Sequence, residues 1–278
     1  MPSERVRMRR FAMITRCIPK NTKAWLALVV ALVLLPTVGT AKWVATPFDE
    51  QLIEAANSGH IDLVESALGK GADPNAYDKD GETALTTACT KGHIGIVNLL
   101  LNNGADPNAK GPDSIHAIAL FSAARAGQRE IVELLLSKDA DVNDQEAESG
   151  ETPLTAAAAN GHLDVVKLLV ATPGDPDRRQ WMEQTALLAA ADSGRLEVVK
   201  LLLAKGVDVN ASDVYTYGGR VTPLMVAARK GQLAVVRELL AQGADANVTT
   251  SNGETALSIA QEKGHIAIEH LLREVGAK

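Results

Sequence analysis

The sequence predicts an all-α solenoid of about seven helix–turn–helix repeats, joined by β-turn or hairpin loops and preceded by an N-terminal signal or anchor segment. Seven glycines recur at intervals of 33, 35, 34, 33, 37 and 33 residues: Gly59, Gly92, Gly127, Gly161, Gly194, Gly231 and Gly264. Twelve residues after each comes a second landmark: Gly71, Gly104, Asp139, Pro173, Gly206, Gly243 or Gly276. Nine residues before five of them comes a threonine: Thr83, Thr152, Thr185, Thr222 or Thr255. Landmarks in register at a fixed period indicate stacked copies of one unit.

Residues 81–108 show what one copy contains. Thr83 is the expected N-cap of a first helix, since its hydroxyl can accept a backbone N–H of the first turn. Gly92 falls where a left-handed residue ends that helix. Apolar residues at helical spacing predict a second helix: Ile94, Ile96, Val97, Leu100 and Leu101. Gly104 ends this helix, and an Asp-Pro-Asn turn leads to the next copy.

This stretch, GETALTTACTKGHIGIVNLLLNNGADPN, resembles an ankyrin repeat, in which G-x-T-P-L-H-x-A-A is followed by G-H, V-V-x-L-L-L and G-A-D-x-N. The motif proline survives only as Pro153 and Pro223, and the histidine of T-P-L-H is absent from every copy. The resemblance implies a stack of helix pairs that presents a concave surface of loop tips and first-helix residues to a protein partner.

The repeat domain is predicted to cover residues 48–278. Its copies span about 48–78, 79–110, 111–147, 148–179, 180–214, 215–248 and 249–278. Polar residues in the first and last copies, such as Glu50, Gln51, Glu269 and Arg273, are expected on outer faces that meet water. We expect no separate catalytic domain among these residues.

Residues 1–41 are predicted to be a secretory signal peptide, with a linker at 42–47. Seven basic side chains precede an unbroken apolar run at 24–35, and no charge follows it until Lys42. Pro36 and the small residues at 39–41 favour cleavage. The alternative is an uncleaved membrane anchor, because the uncharged span 24–41 reaches the lower limit for crossing a bilayer. Cleavage predicts a periplasmic or secreted protein, and retention predicts an inner-membrane anchor facing the periplasm.

The charge and the cysteine content argue against nucleic-acid binding and against redox chemistry. Residues 1–41 hold seven of the 28 basic and one of the 34 acidic side chains, so residues 42–278 carry a net charge of −12. An acidic domain argues against nucleic acid as the partner. Cys89 replaces an alanine of the motif and is expected to be a small buried side chain rather than a redox centre.

The polar residues of the repeats predict structure rather than chemistry. Four histidines follow the inter-helix glycines: His60, His93, His162 and His265. Metal ligands must lie about 2 Å from one ion, whereas packed helices are about 8–10 Å apart. We therefore expect these histidines to lie apart from one another in their separate repeats, each at the start of a second helix. The loop aspartates and asparagines are expected to satisfy nearby backbone donors. No catalytic, cofactor-binding or metal-binding residue is predicted.

The loop tips vary between copies, and partner selection is expected there. Aromatic and arginine side chains dominate binding hot spots. The predicted partner-binding residues are Tyr77, Lys79, Lys110, His116, Arg178, Arg179, Trp181, Tyr215, Tyr217 and Arg220. Trp181, Tyr215 and Tyr217 on adjacent tips are the expected anchor. The alternatives are that Trp181 folds back over the irregular fourth repeat and that the two tyrosines pack the longer fifth loop.

These observations predict a monomeric, non-enzymatic bacterial protein that is exported and binds a protein partner. A membrane-tethered scaffold is the first alternative. A metal- or small-molecule-dependent enzyme is a lesser one, because the repeat geometry does not suggest a convergent pocket.

Overall fold

A computed structural model of the protein describes residues 46–109, 118–146, 150–173, 176–212 and 220–278. These residues form fourteen helices in seven successive pairs, and no β-strand occurs among them. The first helices are α1 (Pro47–Ser58), α3 (Ala84–Lys91), α5 (Ala119–Ala126), α7 (Pro153–Asn160), α9 (Pro176–Asp192), α11 (Pro223–Lys230) and α13 (Ala256–Glu262). The second helices are α2 (Ile61–Gly69), α4 (Ile94–Asn102), α6 (Arg129–Leu136), α8 (Leu163–Ala171), α10 (Leu196–Ala204), α12 (Leu233–Ala241) and α14 (Ile266–Glu274). The predicted all-α repeat fold is confirmed.

The pairs stack with first helices against first helices and second against second. Thus α3 packs between α1 and α5, while α4 packs between α2 and α6. Each second helix buries only its apolar stripe, as α6 does with Ile131, Val132 and Leu135. The core is therefore a layer running along the stack rather than one central cluster. Cys89 is fully buried in this layer, as predicted.

Four of the five periodic threonines cap a first helix. The side-chain oxygen accepts the backbone N–H three residues later at 3.1–3.4 Å in the four cases Thr83, Thr152, Thr222 and Thr255. Each inter-helix glycine has a positive φ, for example +80° at Gly92. The left-handed backbone there lets the chain leave the first helix and start the second within two residues.

The fifth first helix departs from the prediction. Thr185 is expected as an N-cap, but it lies inside α9, and its hydroxyl donates to the carbonyl of Met182 at 2.9 Å. Residues 177–184, DRRQWMEQ, contain no glycine and several good helix formers. Proline at the first helical position, here Pro176, is pre-set for helix. The predicted fourth loop tip is therefore wrong, since Arg178, Arg179 and Trp181 lie on the first turns of a 17-residue helix.

A side chain from each pair packs on the inter-helix glycine of the preceding pair. A Cβ atom at Gly231 would lie 2.8 Å from Cε1 of His265, and one at Gly161 would lie 2.9 Å from Cδ of Arg195. The same contact joins Gly59 to His93, Gly92 to Gln128, Gly127 to His162 and Gly194 to Gln232. Glycine is thus required twice, by the backbone conformation and by the neighbour that occupies the space of its missing side chain.

Several of these side chains also hydrogen-bond across the repeats. Arg195 Nε donates to the carbonyl of Ala159 at 2.9 Å, and His162 Nε2 lies 3.0 Å from the carbonyl of Arg125. Gln232 and His265 make the equivalent contacts with Asp192 and Arg229. The last carbonyls of a helix have no partner within it, so the next pair supplies one. The histidines do open second helices as predicted, but without a side-chain cap.

A second row of hydrogen bonds joins the loops. The loop aspartates accept the backbone N–H two residues later at 2.9 Å, which confirms their predicted role: Asp73, Asp106, Asp141, Asp208 and Asp245. The asparagines instead link successive loops. Asn75 Nδ2 donates to the carbonyl of Gly104 at 3.0 Å, and its Oδ1 accepts from the backbone N–H of Asp106 at 2.7 Å.

The outer faces of the first and last pairs carry the predicted polar residues. Gln51 is exposed at the position where the next repeat buries Ala84, and Gln261 is exposed where the preceding repeat buries Ala228. At the C-terminal end, Glu269 accepts hydrogen bonds from Gln261 at 3.1 Å and from Arg273 at 2.8 Å. At the last pair these polar groups bond to one another, at the face where an inner pair has a neighbour.

We expect Gly231→Ala to lower the free energy of unfolding more than Gly206→Ala. Both glycines have positive φ, so each alanine bears a left-handed backbone penalty of about 1–2 kcal/mol. Only at Gly231 does the added methyl meet a side chain, because nothing lies within 4 Å of a Cβ at Gly206. The crowding should add a further loss of about 1 kcal/mol or more. Urea unfolding measures both variants, and equal losses would show that the contact with His265 is loose.

Candidate binding surface

The described part of the structure contains six of the ten predicted partner-binding residues. Tyr77 and Lys79 lie at the tip between the first and second pairs. Arg178, Arg179 and Trp181 lie on α9, and Arg220 is exposed just before α11. The remaining four, Lys110, His116, Tyr215 and Tyr217, fall outside the described residues.

The first tip is a small hairpin built by its own side chains. Tyr77 forms an isolated antiparallel bridge with Thr83. The Asp78 carboxylate accepts the backbone N–H groups of Asp80 and Glu82, both at 2.9 Å. Tyr77 is half-buried against this turn, whereas the Lys79 side chain is 88% exposed. The tip thus holds a partly accessible ring beside a solvated ammonium group.

The start of α9 replaces a flexible tip with a helical surface. Arg178 is exposed, and Trp181, three residues later on the same side of the helix, is half-buried against the core. Arg179 is half-buried and donates through Nη2 to the carbonyl of Thr172 at 3.0 Å, which ties α9 to the end of α8. Trp181 therefore both packs on its own repeat and keeps part of its ring accessible.

The six described residues are spread along the stack rather than gathered in one compact site. The first tip belongs to the junction of pairs one and two, α9 belongs to pair five, and Arg220 precedes pair six. A partner that contacted all of them would have to extend across several repeats. A smaller partner would contact either the first tip or the α9 region.

The α9 region also contains an acid with an altered pKa. Burial raises the pKa of Glu183 above its usual value, and the positive charges of Arg179 and Lys205 oppose that rise only in part. The carboxyl group therefore keeps its proton to a higher pH than an exposed glutamate would.

The described residues offer little for metal or thiol chemistry. No three His, Cys, Asp or Glu side chains among them are grouped so that they could hold a metal ion. Burial raises the pKa of the Cys89 thiol, which keeps it protonated and poorly nucleophilic.

The membrane prediction concerns a part of the chain that the structure leaves out. In the described ranges, each helix is too short or too polar to span a bilayer. The predicted span at 24–41 lies outside those ranges.

A groove of about 500 Å³ lies on the outer face of the first pair. Its lining includes Glu50, Glu54, Ser58, Leu63, Ser66 and Lys70. Leu63 is 57% exposed here, whereas its counterpart Ile96 in the second pair is 3% exposed under the first. The groove is thus the place where an inner repeat would meet its neighbour, with polar residues around one exposed leucine.

Family models for ankyrin repeats match most of this stack. One, described as "Ankyrin repeats (3 copies)", matches residues 52–146 and 120–213, and another, "Ankyrin repeats (many copies)", matches residues 213–260.

Curated proteins resemble parts of the chain. The chain is 34% identical over 133 residues to Ankyrin repeat and SAM domain-containing protein 6 of Danio rerio. The matched segment covers 46% of this chain and 17% of that protein. The chain is 35% identical over 127 residues to Ankyrin repeat and KH domain-containing protein mask-1 of Caenorhabditis elegans, covering 45% and 5%. The matched segment is therefore a small part of either relative.

A solved structure resembles the chain over most of its length. The crystal structure of the human ASB11 ankyrin repeat domain superposes with a TM-score of 0.69 at 27% identity. The match covers 84% of this chain and 99% of that domain.

We expect Glu183→Gln to raise the free energy of unfolding at pH 7 and to leave it nearly unchanged at pH 4. Because the pKa of Glu183 is higher in the folded protein than its ordinary 4.5, the folded state binds that proton more tightly than the unfolded chain. The free energy of unfolding therefore falls as the pH rises through this interval. Glutamine has no charge to lose and avoids that fall.

Urea midpoints at the two pH values measure the effect. Glu65→Gln, at an exposed position on α2, is the control. A gain at pH 7 that is equal for both variants would contradict the assignment to burial.

Proposed function

The chain belongs to the ankyrin repeat family, and we propose that this protein-interaction module acts in the periplasm, where it docks a partner protein on a concave face of loop tips and first helices. The family fold is typically a non-enzymatic interaction scaffold. Seven stacked pairs offer an extended, preformed surface whose side chains differ from repeat to repeat. Export is supported by the basic, apolar and small-residue order of residues 1–41.

The observation that carries the docking site is the start of α9. A half-exposed tryptophan beside an exposed arginine gives large rigid area with a polar handle, which is the composition of binding hot spots. The helix holds both side chains in place before any partner arrives, so little conformational entropy is lost on binding. Tyr215 and Tyr217, on the next predicted tip, complete the proposed anchor.

Partner capture tests this site. The full-length protein, tagged at its C-terminus, is crosslinked in intact cells, and the captured proteins are identified. We expect one dominant envelope protein, and we expect its recovery to fall at least tenfold when Trp181, Tyr215 and Tyr217 are all replaced by alanine, since each lost hot spot costs about 2 kcal/mol or more.

Two controls make the result specific. Arg237→Ala, at an exposed position on the second helix α12, should leave capture unchanged. Because Trp181 also packs on the core, folding of the triple variant must be checked separately. Its helical circular dichroism should match that of the parent. Unchanged capture by a folded triple variant would reject the anchor, and recovery of cytosolic proteins alone would reject the periplasmic location.

A membrane-tethered scaffold is the alternative that the uncharged span 24–41 favours. The mass of the protein isolated from cells distinguishes the two forms. We expect a soluble species shortened by about 40 residues, as cleavage of a signal peptide would produce. A full-length mass recovered only with membranes would instead establish the tethered form.

A further inference from the structure

The loop asparagines form a row in which each side-chain oxygen accepts a backbone N–H from the next repeat. Oδ1 of Asn75, Asn108, Asn210 and Asn247 accepts from the N–H of Asp106, Asp141, Asp245 and Lys278, respectively, at 2.7–2.9 Å. These bonds occur at four junctions with nearly the same length. The oxygen therefore has a defined partner wherever the next loop follows the usual pattern.

Asn143 occupies the same place in the third loop but lacks that bond. Its backbone N–H donates to the Asp141 carboxylate at 2.9 Å, as in the other loops, so the turn itself is regular. Its Oδ1 is buried and is the one buried side-chain nitrogen or oxygen in the described ranges without a hydrogen-bond partner. Buried polar atoms nearly always have a partner, either protein or ordered water.

The repeat that follows departs from the usual pattern. The fourth repeat has Pro173 where most copies have glycine, and the long helix α9 begins at Pro176. In the regular loops the donor stands two residues after the glycine position, and its counterpart here, Asp175, lies outside the described residues. The sequence change that extends α9 thus coincides with the junction at which the asparagine row is interrupted.

Asn143 lines a small cavity. Its volume is about 10 Å³, and its lining includes Asn143, Leu154, Leu169, Thr172, Arg179 and Glu183. Space of about 10–15 Å³ for the centre of a water-sized sphere is what one water molecule needs, together with two to four polar partners. The cavity is therefore large enough for one water and too small for a larger ligand.

We propose that this cavity is a binding site for a single ordered water molecule, which donates a hydrogen bond to Asn143 Oδ1 and so replaces the backbone N–H of the regular junctions. The side chains of Thr172, Arg179 and Glu183 line the same cavity and supply its other polar partners. The water connects the third loop, the end of α8 and the start of α9. It restores across this junction the link that asparagine makes directly elsewhere.

A crystal structure of the full chain, at a resolution that shows waters elsewhere in the core, tests the site. The expected result is density for one water within about 2.7–3.2 Å of Asn143 Oδ1. A dry cavity, or a side chain such as Glu183 bonded directly to that oxygen, would overturn the proposal.

A second measurement does not depend on crystals. In the folded protein, a long-lived water should give nuclear Overhauser effects to the methyl groups of Leu154 and Leu169, and Asn143→Leu should abolish them. The matched variant is Asn108→Leu, which removes direct bonds to Asp139 and Asp141 at 2.9 and 2.8 Å. It should keep the water signal while it lowers the urea midpoint more than Asn143→Leu does. Persistence of the signal in Asn143→Leu, or its loss in folded Asn108→Leu, would also overturn the proposal.

Discussion

The stack depends on the left-handed glycine that separates the two helices of each pair. Its positive φ allows the chain to reverse within two residues, and its missing side chain leaves the space into which a residue of the next pair fits. The missing Cβ of this glycine thus permits both the turn within a pair and the close contact between pairs. The apolar layer of first and second helices then continues from pair to pair along the stack.

Much of this architecture could be predicted from the sequence, because its signals are local. A threonine cap, a left-handed glycine and an apolar stripe each require only residues within one turn or one helix, and all three recur in register. The buried state of Cys89 followed in the same way, from its place in the motif. Contacts between repeats had weaker signals: His, Gln and Arg alternate at the position after the glycine, and only the structure shows that they share a role.

The α9 region shows where local reasoning fails. The periodic threonine at position 185 suggested a cap, but eight preceding residues with good helix propensity extend the helix through the position of the loop. Repeat phase and local propensity gave opposite answers there, and propensity determined the structure. The binding residues were harder to place than the fold, because their role depends on exposure. Exposure distinguishes Arg178, which faces solvent, from Arg179, which is partly buried and bonded to the end of α8.

The two rows of hydrogen bonds have a consequence for how such a chain changes in length. Each inner pair packs one side chain on the inter-helix glycine of the pair before it, and its own glycine receives a side chain from the pair after it. Most pairs are therefore interchangeable units. An in-phase duplication or deletion of the second or sixth pair would therefore leave every remaining glycine with a partner. The junction before α9 is different, since a copied Asn143 would again lack the bond that the other loop asparagines make. Gene duplication can thus lengthen this array more readily near its ends than at its centre.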